Sequence, residues 1–267
     1  MGVLRESLAG TSAHFHLVGI YTVLDLVVRI AFTEANARPE EYGFLFVTAA
    51  FVALMGSFGI LGLVVHAAAG RGQRPPFPQV AALLFLPLLW LQIRIALLTY
   101  GPVVAGLLLF HALYAGTVPF ETWAPVAAYW IEPIAEAATL AMTIYATPFA
   151  VRQRVTGKRG AALREGLRLM ASTSEGGPRL FVLLLPAIAI GTTAHYLRKP
   201  ADANPVPSLP EGLALLVISY LTLAALFGAA RLLARRAAAG AAAGDRFPGP
   251  APPGDSGGPA ATSGPPA

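Results

Sequence analysis

The chain of 267 residues contains no cysteine, and that absence removes disulfides, thiolate metal ligands, iron–sulfur clusters and cysteine nucleophiles together. Charge is scarce as well. Only 12% of residues are Asp, Glu, Lys or Arg, about half of the roughly 25% usual for water-soluble domains. No Lys lies inside a long apolar run, which excludes a retinal-type Schiff base within a helix. Phosphate-binding glycine loops and the His-Glu-x-x-His zinc motif are missing too, which argues against nucleotide-driven chemistry and zinc proteolysis in this chain.

What the sequence has is apolar length. Hydrophobic residues make up 55% of it, and mean hydropathy is +0.62. Seven segments approach or exceed the ~20 residues that cross a 30 Å hydrocarbon layer at 1.5 Å per residue; they cover residues 14–32, 43–69, 79–99, 101–118, 124–151, 180–197 and 212–233. Lipid offers backbone N–H and C=O groups no partner, and alternating barrel strands are not in the pattern, so these segments read as helices. The fold class is therefore an all-α membrane protein, a bundle of about seven transmembrane helices in a cytoplasmic membrane. Its organisation reads as a short N-terminal tail over 1–13, a transmembrane bundle over 14–236 and a disordered Ala/Gly/Pro-rich tail over 237–267. Between the fifth and sixth segments, Leu163, Leu167 and Met170 recur at helical spacing opposite Arg164 and Arg168, the pattern of a helix lying on a headgroup surface.

The net charge of +5 comes from 19 basic and 14 acidic residues, and the basic ones flank apolar runs. They read as orientation signals against a bilayer, with no nucleic-acid motif beside them. In a seven-helix chain with the N-terminus outside and the C-terminus inside, twelve basic residues fall inside and five outside. A six-helix chain, in which 79–118 crosses once, places both termini inside and gives fourteen against three. That better tally requires one helix of ~60 Å, twice the hydrocarbon thickness. Gly101-Pro102 supplies a natural break, and seven crossings are the expectation.

Polar residues within the runs carry whatever chemistry there is. Asp25 and Arg29 are four apart and share a helix face, as do Glu132 and Glu136, while Arg94 stands alone in the third segment. An isolated charge at the centre of a membrane helix costs on the order of 3 kcal/mol or more. These five are therefore expected to face the bundle interior and form a polar intramembrane site, with Arg94 paired to a carboxylate of the fifth helix. His66, His111 and His195 all fall in the outer half of the seven-helix arrangement, which makes them candidate ligands for a haem or a transition metal. The expected function is a metal- or haem-binding or proton-linked membrane enzyme or redox protein. The alternatives are a transporter or channel for a small molecule or ion, and an accessory subunit of a membrane complex. No reaction is assigned by the sequence.

Overall fold

The protein is described by a computed structural model covering residues 2–37, 39–70, 76–114, 119–157, 160–174, 176–197 and 208–244. The described residues form eight α-helices and one 3-10 turn: α1 (Gly2–Ser12), α2 (Phe15–Ala37), α3 (Pro39–Ala68), α4 (Phe77–Tyr114), α5 (Phe120–Thr156), α6 (Ala162–Ala171), the turn Gly177–Leu180, α7 (Phe181–Leu197) and α8 (Leu209–Gly244). Six stretches are long and apolar enough to cross a membrane: Phe15–Ala35, Gly43–Ala68, Phe77–Leu113, Tyr129–Thr156, Gly177–Tyr196 and Leu209–Ala239. The chain is a multi-pass membrane protein. Its outer surface carries large apolar side chains such as Phe44, Leu86, Leu97 and Ile134, as lipid contact requires.

Six long helices replace the expected seven, because the reversal predicted at Gly101-Pro102 does not occur. α4 runs unbroken for 38 residues with Pro87 and Pro102 inside it. The physical reason lies in the backbone. One proline removes one N–H from the ladder, whereas a reversal at bilayer depth strands several N–H and C=O groups at once. At ~57 Å the helix exceeds the hydrocarbon thickness, so its ends reach beyond it or the helix tilts.

Antiparallel packing follows from named contacts. Thr99 meets Thr139 at 2.9 Å and the Thr143 hydroxyl donates to Gln92 at 3.2 Å, which sets the register of α4 against α5. The Tyr145 hydroxyl donates to the Gly177 carbonyl at 2.6 Å, while His195 Nε2 lies 3.3 Å from the Tyr129 carbonyl oxygen, so α7 runs antiparallel to α5. Small residues on α3 permit close approach on two sides: Gly56 receives Leu24 of α2, and Gly62 receives Val80 and Leu84 of α4. The core between the helices is built from side chains such as Ile60, Leu84, Ile95, Tyr145, Leu184 and Leu226, each at most 2% exposed.

Two further helical stretches lie toward the ends of the chain. The segment expected to be a short N-terminal tail is the helix α1, with Ser7 and Thr11 buried. Phe227 of α8 packs over Gly10, and Tyr220 of α8 donates to the Leu8 carbonyl at 3.2 Å. Hydropathy alone does not reveal it, because its buried face is made of small polar residues. Toward the C-terminus of the described residues, α8 continues through residues 237–244. Six of those eight are Ala, the residue that most favours helix. The rest of the expected tail, 245–267, lies outside the described residues.

Candidate functional site

α6 forms where the amphipathic pattern places a helix. Leu169 is 1% exposed on its buried face, and Arg164 and Arg168 are exposed on the other. Gly166 lets it lie directly on α5, since a Cβ at that position would sit 2.7 Å from the backbone of Ala146. Tyr145 is hydrogen-bonded to Gly177, where the α7 span begins, so α6 rests at the end of the bundle from which α7 starts. The faces of the bundle can be named from it. The α6 face holds α1, the end of α3 and the start of α4, and the opposite face holds the end of α4 and the end of α7.

The predicted polar residues divide into two places. Asp25 and Arg29 pair as their spacing implies, with Arg29 Nε donating to Asp25 Oδ2 at 2.8 Å. Glu136 lies within electrostatic reach of Glu132, Arg29 and His195. Tyr100 of α4 is in the field of both glutamates. α2, α5 and α7 thus bring Asp25, Arg29, Glu132, Glu136 and His195 into one neighbourhood in the half of the bundle opposite α6. The side chains of this neighbourhood are not sealed inside the chain. Arg29 is 62% exposed, and Glu132 and Glu136 are exposed.

Arg94 belongs elsewhere, and the expected pair with a carboxylate of α5 does not form. Its guanidinium lies over the Trp90 ring at 4.9 Å. The register explains this. Neighbouring Gln92 meets Thr143, and Glu136 stands seven residues further along α5, ~10 Å away along the axis. The long side chain reaches instead toward the nearer boundary, where its charge is better solvated. There it lines a cleft of about 710 Å³ with Trp90 from α4, Gln153 and Arg154 from α5, and Arg164 from α6.

The three candidate metal ligands do not come together. His66 is in the last turn of α3 on the α6 face, whereas His111 and His195 end α4 and α7 on the opposite face. Their shared side depends on the seven-helix count, which the unbroken α4 removes. His195 instead packs against Tyr129 at 5.1 Å and Tyr196 at 5.3 Å, in an aromatic cluster with Trp130. Among the described residues no three His, Asp or Glu side chains are grouped as a metal site.

The arginine cleft is a feature that sequence reasoning misses. Arg164 is legible as the polar face of an amphipathic helix, but Arg94 lies sixty residues before Arg154 in the chain, and only tertiary packing brings it to the same cleft as Arg154 and Arg164. Gln92, Thr99, Thr139 and Thr143 escape notice as interhelical partners because single hydroxyls in apolar runs carry no local signal. No protein-family model, no curated protein and no solved structure matches the chain.

Proposed function

We propose that the protein binds a small organic cation, or a solute that carries a proton, on a polar surface formed by Asp25 and Arg29 of α2, Glu132 and Glu136 of α5 and His195 of α7. The observations that carry this reading are the Asp25–Arg29 pair at 2.8 Å and the seating of His195 Nε2 3.3 Å from the Tyr129 carbonyl, one turn before Glu132, with Arg29 and His195 both within electrostatic reach of Glu136. Three carboxylates against one guanidinium leave the neighbourhood two charges negative with neutral histidine, which favours a cationic guest. The spacing is too open for chelation of a metal ion and suits a ligand of several atoms. Charges within a membrane span are expensive unless they are compensated, so exposed carboxylates there support a surface that a ligand covers. Six spans and the fourteen-to-three distribution of basic residues support a reading in which α1 and α6 are cytoplasmic and this surface faces the outer side.

Titration calorimetry of the purified chain in lipid nanodiscs, with guanidinium, ethanolamine and choline as probes, tests the reading. Saturable binding that Glu136→Gln weakens at least tenfold is the expected result, with thermal unfolding unchanged. A wild-type chain that binds none of the probes and takes up no proton between pH 5 and 8 overturns it. The 62% exposure of Arg29 favours a second reading, in which a partner helix covers the same charged face and the protein is a subunit of a membrane complex. Stoichiometric co-purification of a partner that is lost on Arg29→Gln distinguishes the two.

A further inference from the structure

We propose that the cleft between α4, the end of α5 and α6 binds the phosphate of an anionic phospholipid in the leaflet on the α6 side. This inference does not depend on the cation surface above, which lies in the other half of the bundle. Three guanidinium groups, of Arg94, Arg154 and Arg164, line one cavity of about 710 Å³, and no Asp or Glu is among its lining residues. Three arginines share this lining with no acid beside them in it among the described residues, and a bound anion offsets their like charges. Guanidinium groups present paired N–H donors that match phosphate oxygens. The nearest acid on α6, Glu165, is not part of the lining.

A second donor set faces the same cavity. Gly160, Ala161, Ala162 and Leu163, the entry into α6, form part of its wall. The first intrahelical bond is Glu165 N–H to the Ala161 carbonyl, and Ala161 supplies no side-chain cap. The amides of residues 162–164 therefore precede the ladder, at the positive end of a ten-residue helix.

Depth and polarity select a lipid over a free anion. The cleft lies at the α6 end of the bundle, beside the last turns of the α5 span. Trp90, 53% exposed at its rim, is the residue type that favours the headgroup layer. Part of the wall is apolar, with Pro87, Leu91, Leu163 and Leu167. A phosphodiester held by the arginines would lay its acyl chains along that wall. A free phosphate would leave it bare.

Native mass spectrometry of the detergent-purified chain, incubated with equal amounts of phosphatidylglycerol and phosphatidylcholine, tests the proposal. The expected result is about tenfold preferential retention of phosphatidylglycerol, on the scale of one charge-assisted hydrogen bond. The Arg154→Gln/Arg164→Gln double variant loses that preference, whereas Arg168→Gln, on the same helix but outside the cleft, keeps it. Arg164→Lys, which retains the charge, guards against a loss caused by misfolding and holds a reduced preference. Equal retention of the two lipids by the wild-type chain overturns the proposal, as does a preference unchanged in the double variant. Loss of the preference in millimolar inorganic phosphate also overturns it, by assigning the site to a free anion.

Discussion

Replacing Gly166 with Ala tests how α6 is held. The added methyl group would meet the Ala146 N and Cα at 2.7 Å and the Tyr145 carbonyl carbon at 2.9 Å. These are backbone atoms of α5, so no rotamer change relieves the clash and α6 must move away as a unit. Overpacking of this kind costs about 1–3 kcal/mol, and the displacement also loosens Leu169, now 1% exposed. Trypsin cleavage after Arg164 and Arg168 reports the opening, because both lie on the exposed face of the docked helix. When opening is fast relative to cleavage, the rate follows the population of the undocked form. A cost of 1–3 kcal/mol then accelerates cleavage by about 5- to 150-fold. Gly106→Ala is the matched control, since nothing lies within 4 Å of a Cβ there. If Gly166→Ala leaves α6 as resistant as the control does, α6 is not seated on α5 and the arginine cleft that depends on it does not exist.

Two further outcomes follow from the hydrogen-bond register and the ion pair. Tyr145→Phe removes the donor to the Gly177 carbonyl and is expected to cost about 1–3 kcal/mol, because a buried acceptor loses its partner; a lowered unfolding temperature in detergent checks it. Asp25→Asn leaves the Arg29 guanidinium without its 2.8 Å partner at bilayer depth. The single variant is therefore expected to be less stable than Asp25→Asn/Arg29→Gln in a thermal-unfolding cycle, the reverse of simple additivity.

Local features of this fold are legible in the amino-acid order, and non-local ones are not. Asp25 and Arg29 pair because four residues along one helix bring them together whatever surrounds it. α6 is legible for the same reason, since alternation between Leu163, Leu167, Met170 and the arginines is a property of one short segment. Helix number goes astray at Gly101-Pro102, where a soluble-protein breaker rule competes with the membrane's demand that backbone groups stay paired. The principle that opposite charges pair in lipid points Arg94 at Glu132 or Glu136. Which residue faces which depends on the register between α4 and α5, fixed by Gln92 with Thr143 and Thr99 with Thr139, and no spacing within either helix encodes it. The histidines follow the helix count, so one additional reversal puts His66 beside the wrong neighbours.

Both faces of the bundle are assigned on the footing that α4 crosses the membrane once. The absence of native cysteine makes single-cysteine labelling direct. Ala69→Cys, Thr122→Cys and Ala161→Cys, all at exposed positions next to connections, are to be reacted in sealed right-side-out vesicles with a membrane-impermeant maleimide, before and after permeabilisation. Six crossings predict that Ala69→Cys and Ala161→Cys are protected until the vesicles are opened, while Thr122→Cys reacts from outside. Labelling of Ala69→Cys and Thr122→Cys from the same side would mean that the chain turns back within 77–114, and would contradict the architecture on which both proposed sites rest.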